Sequence, residues 1–365
     1  MSYKEDALKY VYEAYKYKNK DKYKLALLEK AVNIAGQHDD VLFEMYCRFD
    51  LIDAYVFSGE IIKAFMHFTW CQAQRKKGYT DDKVIYNSIW HHKYISSEIT
   101  EFTSISCEKI NNVYENMKKI FIENNVSLKS YYSLRIEAYM SGIDNGTDIQ
   151  EYYKKFLLEP EDEEYDDCRA CTLDAIVRYY IFLGKYEKAL KEAKNIINGT
   201  LKCAQIPHVT FAKLLLPLYE LKKYELAETL QRKGIRLING DKVFVTEIGF
   251  HMMYLALTNP EKGIKVFEKN YSNFLKANMD SSKMWFNVGA YALFSKLQEN
   301  EVEIVKIKVP TSSKIYSEDG YNVSELSEFF RNESMSIMDA FDKRNNNSIV
   351  SDDVKRYLKI CIGKE

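Results

Sequence analysis

The fold is decided by one short stretch of the chain, Leu183-Gly184-Lys185-Tyr186-Glu187-Lys188-Ala189-Leu190. Glycine readily takes the left-handed backbone that ends a helix, and the residues after it favour a new helix. Ala189 is small enough for the two helices of a hairpin to cross closely. The stretch therefore predicts two antiparallel helices joined by a tight turn.

The same pattern returns along the chain with a period near 38 residues. Each copy has a small anchor residue at the helix crossing, an apolar or aromatic residue three positions earlier, a turn residue five earlier, and a tyrosine or leucine nine earlier. The copies are Tyr17, Asp21, Tyr23, Ala26; Tyr55, Gly59, Ile61, Ala64; Tyr180, Gly184, Tyr186, Ala189; Leu218, Lys222, Tyr224, Ala227; and Tyr254, Thr258, Pro260, Gly263. Because five copies keep one register, the pattern predicts a repeat architecture.

The stretch at 183–190 resembles the turn between the two helices of a tetratricopeptide (TPR) repeat, in which Gly-x-Tyr-x-x-Ala recurs. The match covers roughly residues 1–75 and 170–275, whereas residues 80–165 keep helical periodicity without the anchors. The units exceed the usual length of about 34 residues, so the repeats are degenerate. The resemblance implies an all-α, right-handed superhelical solenoid of antiparallel helix pairs, with a concave face that holds a peptide or a protein.

Composition agrees with an all-α class. Only 5 prolines and 14 glycines interrupt 365 residues, and helix-favouring residues are abundant.

The net charge of −1 provides no electrostatic field that would attract nucleic acid or an anionic membrane. No apolar run reaches the about 18–20 residues that span a bilayer, and the chain starts without a signal sequence. We therefore expect a soluble cytoplasmic protein that binds neither nucleic acid nor membrane.

The sequence pattern divides the chain into a helical solenoid at 1–300 and a C-terminal capping module at 301–365. The segment 302–310 predicts a strand, because β-branched residues partly alternate with charged ones before Pro310. Its best short partner is 348–350, and a helix is expected near 323–341. The end of a repeat stack needs a polar cover, so we expect this small α/β module to cap the solenoid.

Three thiols and one imidazole form a set typical of structural zinc, Cys168-x-x-Cys171 and Cys203 with His208. Thirty-one residues separate the halves, but a shift by the 38-residue period moves the first half to 206 and 209, next to the second. Both halves then lie at the amino-terminal ends of successive first helices, side by side in the stack. The sequence predicts a closed zinc site with four protein ligands, which leaves no position for a reactive water.

Two other interpretations of these cysteines stay open. The thiols could be ordinary buried or exposed side chains without a metal, with His208 merely following Pro207 at a helix start. The Cys168-x-x-Cys171 pair could instead be redox-active, although the βαβ context of thioredoxin-like proteins is missing. Seven cysteines without a signal sequence favour a reducing compartment over a disulfide framework.

The resemblance extends weakly beyond the repeats themselves. The cysteine pair, the later cysteine with Pro207-His208, and the tail phrase Phe341-Asp342-x-Arg344-Asn345 are similar to bacterial TPR proteins of unassigned function. This similarity makes a shared design more plausible than an accident of spacing, and it transfers no activity.

No P-loop, Rossmann, HExxH, GxSxG or kinase signature is present. We therefore expect a non-enzymatic module that binds a protein or peptide, such as an adaptor, a peptide-sensing regulator or an immunity protein that neutralises a toxin. The competing class is an enzyme whose site lies in the irregular middle, with its acidic run at 159–167, or in the C-terminal module. A water-ligated metal would favour the enzyme, whereas four protein ligands count against it.

Overall fold

The computed structural model describes residues 2–18, 21–144 and 146–363, so the outer limits of the predicted domains at residues 1 and 365 lie outside it. As the composition predicts, the regular secondary structure of this part of the chain is almost entirely helical. Its helices are α1 (Tyr3–Ala14), α2 (Lys22–Ala35), α3 (Val41–Ser58), α4 (Ile61–Lys76), α5 (Asp82–Glu98), α6 (Cys107–Glu123), α7 (Lys129–Met140), α8 (Ile149–Leu158), α9 (Arg169–Phe182), α10 (Tyr186–Glu192), α11 (Lys194–Ile197), α12 (His208–Glu220), α13 (Tyr224–Ile238), α14 (Val245–Thr258), α15 (Pro260–Phe274), α16 (Asp280–Glu299), α17 (Val323–Asn345) and α18 (Ile349–Ile362). None of these helices is long and apolar enough to cross a bilayer.

The chain forms two compact units. Unit 1 comprises Met1–Thr100, Glu108–Leu134 and Lys155–Asp166, and unit 2 comprises Glu101–Cys107, Arg135–Lys154 and Asp167–Glu365. Within unit 1, α2 packs against α1 and α3, and α4 and α5 pack against α3 and each other. The middle of the chain is helical without the repeated anchors, as its periodicity predicts. The boundary proposed at residue 300 from the sequence pattern stays a prediction.

Helical hairpins lie at all five positions marked by the repeated pattern, and at four of them the predicted anchor is also buried. The anchors Ala64, Ala189, Ala227 and Gly263 are each the fourth residue of the second helix, in α4, α10, α13 and α15. All four anchors are buried. The two helices of each pair are in contact, α3 with α4, α9 with α10, α12 with α13 and α14 with α15. The anchors therefore lie on the buried sides of their helices, where small side chains leave room for a neighbour.

The turn residue adopts left-handed backbone in three of these hairpins. Its φ is 79° at Gly59, 68° at Gly184 and 56° at Lys222. Glycine takes this conformation at little cost, whereas lysine is disfavoured there. The backbone at Lys222 is therefore set by the geometry of the hairpin rather than by the preference of its own residue.

The anchor predicted at Ala26 is wrong. Helix α2 buries Leu28, Ala31 and Ala35, whereas Ala26 is exposed. Successive helical residues are turned by about 100°, so Ala26 lies on the opposite side of α2 from Leu28. The letters of the first copy match the pattern, but the apolar residues that follow them place the buried face elsewhere.

In unit 2 the first helices of successive hairpins contact one another in series. These first helices are α9, α12, α14 and α16, and each contacts the next. Their second helices α10, α13, α15 and α17 each pack against the first helix that precedes them. The buried side chains of these elements form one continuous apolar cluster. We call the surface that the four first helices present together the first-helix face of unit 2.

The closest crossing in unit 2 joins α14 to α16. A methyl group added to Gly289 would lie 2.4 Å from the carbonyl oxygen of Gly249, and one added to Gly249 would lie 2.3 Å from that of Trp285. These neighbours are backbone atoms, so no side-chain rotation can relieve the overlap. Both glycines are therefore required by the approach of two helix backbones.

The C-terminal strand pairing predicted at 348–350 is wrong. Of the strand predicted at 302–310, only β1 (Ile304–Val305) forms, and it pairs antiparallel with β2 (Tyr321–Asn322), whereas Ile349 begins α18. The nearer segment supplies the partner because the turn at Gly320, with φ of 98°, returns the chain directly to β1. The backbone N–H of Val323 then donates to the carbonyl of Glu303 at 2.9 Å. The helix expected near 323–341 is confirmed as α17.

Leucine at Ala64 should destabilise unit 1, whereas leucine at Ala26 should not. Ala64 is fully buried on α4, so added carbons overpack the hairpin and cost about 1–3 kcal/mol. Ala26 is exposed on α2 and should tolerate leucine within about 0.5 kcal/mol. Urea unfolding of both full-length variants measures the difference, and equal stability would contradict the assigned register.

Alanine at Gly289 should destabilise unit 2, and alanine at Gly263 serves as its control. The new methyl group at Gly289 meets the backbone of α14, which should cost at least about 1–3 kcal/mol. At Gly263 it meets the end of the Leu293 side chain, which can shift more easily than backbone atoms, while helix propensity favours alanine by about 1 kcal/mol. Thermal unfolding of both variants tests the crossing, and a harmless Gly289→Ala change would exclude it.

Candidate metal centre

Three cysteines lie at the amino-terminal ends of α9 and α12. Cys168 is the residue that caps α9, and Cys171 is in its first turn. Residues at these two positions lie on the same side of a helix start, so their sulfurs can approach each other. Cys203 lies in the loop before α12, where its backbone N–H donates to the carbonyl of Ile206 at 3.0 Å. The helix ends predicted from the repeat period are thus the ones that carry the thiols.

The three sulfur atoms form one group. They all lie within 4.8 Å of one another, and the sulfurs of Cys168 and Cys171 are 3.5 Å apart. Tetrahedral zinc, with bonds of about 2.3 Å to sulfur, holds two thiolates roughly 3.8 Å apart. Cys168 and Cys203 are exposed and Cys171 is half-buried. The group is therefore compact enough to bind one ion and accessible to it from solvent.

The register between α9 and α12 is maintained by a buried polar contact near the thiols. The hydroxyl of Thr210 on α12 donates to the carboxylate of Asp174 on α9. Arg178 donates to Asp174 at 2.8 Å and to Glu137 of α7 at 2.7 Å. A buried carboxylate with these partners tolerates little sliding of one helix along the other. The protein itself thus holds the cysteine-bearing ends of α9 and α12 together.

Two of the thiols differ in acidity. Burial raises the pKa of Cys168, but the backbone N–H of Cys171 and the neighbouring thiols favour the thiolate, so the net pKa shift is downward. Burial and the nearby Cys168 raise the pKa of Cys171. A metal cation would reverse the second shift, because a coordinated thiol is deprotonated. Without a cation, Cys168 is the thiol that ionises more readily of the two.

His208 does not belong to the group of ligand atoms. The described residues give a cluster of Cys168, Cys171 and Cys203 alone. His208 is the first residue of α12, and its ring stacks on Phe244 with the centroids 5.3 Å apart. The period predicts where the backbone of His208 lies, but it does not predict which neighbour the imidazole packs against. The structure therefore brings together three of the four predicted ligands.

The remaining cysteines have different surroundings. Each of the seven cysteines lies within the described residues and carries a free thiol. Burial raises the pKa of Cys47 and of Cys71 to about 12, and it also raises that of Cys361. Cys107 donates to the carbonyl of Arg344 at 3.2 Å. These four side chains act as core or hydrogen-bonding groups, which distinguishes them from the clustered thiols.

The acidic run at 159–167 uses several of its carboxylates within its own loop. Asp162 accepts from the backbone N–H groups of Glu164 and Tyr165, both at 3.1 Å. Asp166 accepts from the backbone of Asp162 and the hydroxyl of Ser130. These bonds give the two aspartates a structural role in ordering the loop.

Asp174, which bonds α9 to α12, is a residue near the thiols that the sequence does not predict. It belongs to no motif and is recognised only by its contacts with Thr210 and Arg178.

Three clustered thiols can bind a soft cation such as zinc, and the Cys168 and Cys171 pair can also form a disulfide after oxidation. The cluster itself selects no single metal. Comparison with known proteins adds no assignment, since no family model, curated protein or solved structure matches this chain. Its function must therefore be inferred from its own side chains and contacts.

Proposed function

We propose that this chain is a non-enzymatic solenoid of TPR-like hairpins that binds a peptide or a protein on a concave face. The observation that carries the proposal is the serial contact of α9, α12, α14 and α16, each with its own second helix. A hairpin stack of this kind buries a continuous core and exposes an extended surface along one side. Such a surface suits the recognition of an extended or helical ligand.

We place the binding surface on the first helices. In unit 1, Phe57 on α3 is 41% exposed, and its ring lies 5.6 Å from that of Tyr94 on α5. Exposed aromatic side chains contribute strongly to binding because they offer a large contact area with few rotatable bonds. The second helix α4 offers Met66, 68% exposed, as a surface for comparison. A ligand of unit 1 should therefore contact Phe57 rather than Met66.

The cysteine cluster supports a structural zinc site in this proposal. A metal bound by Cys168 and Cys171 of α9 and by Cys203 before α12 would link two successive hairpins. Thiolate ligands and tetrahedral spacing favour zinc. We propose His208 as the fourth ligand, which requires its ring to leave Phe244. The site would then stiffen the stack and leave no coordination position for a reacting water.

Protein purified without a metal-affinity step should contain about one zinc per chain by elemental analysis. The Cys168→Ser/Cys171→Ser variant should lose the metal and, at metal concentrations 100-fold above the dissociation constant, about 3 kcal/mol of stability. Cys107→Ser is the matched control, because its thiol lies outside the cluster. It should keep the full metal content.

Cobalt substitution tests the fourth ligand of the same site. If His208 coordinates, the His208→Ala variant should shift the ligand-field absorption bands of the cobalt protein, whereas His38→Ala should not. Unchanged bands would show that His208 does not coordinate, and that the ion is bound by the three cysteines and a non-protein ligand. A native protein without metal, whose stability is unaffected by the double cysteine substitution, would exclude the zinc site altogether.

Site-specific photo-crosslinking tests the binding surface. A benzoylphenylalanine residue at Phe57 should form a defined adduct with one ligand in cell extract, and the same residue at Met66 should not. Met66 is the more exposed of the two side chains, so an adduct formed only at Phe57 cannot be explained by accessibility. Equal labelling from both positions, or none from either, would contradict a binding surface on the first helices.

A further inference from the structure

Helix α18 covers the first-helix face of unit 2. Its main contacts are with the first helices α12, α14 and α16, and with α17, from which it is separated by residues 346–348. It thus lies across three hairpins instead of extending the series by one more. A helix in this position occupies the surface that the proposed function assigns to a ligand.

Arg356 attaches α18 to the end of α9. One terminal nitrogen of its guanidinium donates to the carbonyl oxygens of Ile181 and Phe182, at 2.8 and 2.7 Å. These carbonyls belong to the last turn of α9, where helix carbonyls carry a partial negative charge, and that of Ile181 also accepts from the backbone N–H of Gly184 at 2.9 Å. Arg356 also forms an ion pair with Asp353, one turn earlier on α18. The end of α9 is therefore a specific receptor for a guanidinium group.

Tyr357 attaches the same helix to two aromatic rings. Its ring meets Phe250 of α14 edge-on at 5.1 Å and Trp285 of α16 at 5.5 Å, and those two rings lie 4.8 Å apart. The side-chain nitrogen of Lys213 lies 3.8 Å from the centroid of Phe250. The aromatic pair thus accepts a tyrosine ring from α18 beside a lysine of α12.

Charged groups are unusually frequent where α18 meets this face. Burial raises the pKa of Asp353, which the charges of Arg356 and Lys213 oppose. Burial also lowers the pKa of Lys213 and raises that of Glu247 on α14. The buried side chains of α18 belong to the same apolar cluster as those of the first helices. The combination of aromatic anchors with arginine beside this cluster is common at binding surfaces.

The segment that joins α17 to α18 is held in place by contacts that do not involve α18. Asn345 and Asn347 donate to the carbonyl oxygens of Ser141 and Gly142, at 3.0 and 2.9 Å. Between them Asn346 has left-handed backbone, with φ of 54°. Helix α17 packs against α16 by its own contacts. Rotation of the backbone after Asn347 would release α18 and leave these contacts in place.

We propose that the first-helix face of unit 2 is a helix-binding groove with α18 as its resident occupant, and that a partner helix carrying the same Asp-x-x-Arg-Tyr pattern displaces it. The inference rests on the proposed function and specifies the chemistry of the ligand. The end of α9 recognises the arginine, the Phe250 and Trp285 pair recognises the tyrosine, and the aspartate forms an ion pair with the arginine on its own helix.

Hydrogen–deuterium exchange of the full-length chain tests whether α18 opens separately. Its amides should exchange at least about tenfold faster than those of α16, because local opening precedes global unfolding. Arg356→Ala should accelerate exchange in α18 and leave α16 unchanged. Lys355→Ala, which removes an exposed side chain of the same helix, should change neither. One common exchange rate for α16 and α18 in all three proteins would overturn the proposal.

A fluorescent peptide of residues 347–363 tests whether the groove accepts a helix from outside. It should bind full-length Arg356→Ala at least about tenfold more tightly than Lys355→Ala, since only the former has a weakened occupant. The same peptide with Tyr357→Ala should not bind. Equal binding to both proteins, or none to Arg356→Ala despite faster exchange of α18, would overturn the groove.

Arg356→Lys provides a second variant in case the alanine variant unfolds, which circular dichroism would reveal. Lysine keeps the charge but lacks the planar donor group, so it should accelerate exchange of α18 less than alanine does. Exchange at the wild-type rate in this variant would show that the guanidinium is not required. These readouts do not depend on the crosslinking at Phe57, so the two proposals can fail separately.

Discussion

The packing of each first helix against the next is the constraint on which unit 2 depends. A single hairpin exposes the apolar side of its first helix, and only the neighbouring hairpin covers it. This requirement explains why the helices carry small residues at their crossings. At the crossing of α14 with α16, Gly249 and Gly289 bring the two backbones into contact. The requirement also explains why residues 36 positions apart on successive first helices, Asp174 and Thr210, become partners. The position of the thiols follows from the same packing.

The alignment of α9 and α12 does not depend on the cysteine cluster alone. Arg178 and Thr210 both donate to Asp174, which ties α12 to α9 through protein side chains. A cation bound by the thiols would add a link where the two helices begin. Its main effect would be to resist separation of two hairpins that already have the correct register. A clamp of this kind suits a binding scaffold that must keep its surface rigid.

Features that depend on local periodicity were predictable from the sequence. The hairpins at Ala64, Ala189 and Ala227 have the expected positions because turn, anchor and helix start lie within ten residues of one another. The pattern misplaces the anchor at Ala26 because it does not record which side of a helix is apolar. It does not identify the strand partner because two-residue strands carry too little pattern to indicate their neighbour. The period predicted the grouping of the thiols, but the orientation of the His208 ring depends on its packing against Phe244.

The charged groups on the first-helix face are more informative about specificity than about stability. Burying a carboxylate and a guanidinium costs free energy that their mutual attraction only partly offsets, and apolar side chains often stabilise such a position better. Asp353 and Arg356 therefore contribute mainly by defining one alignment of α18. An apolar helix on the rings of Phe250 and Trp285 could slide, whereas the carbonyls of Ile181 and Phe182 accept Arg356 at one position only. A groove built this way discriminates between helices by the placement of one arginine and one tyrosine.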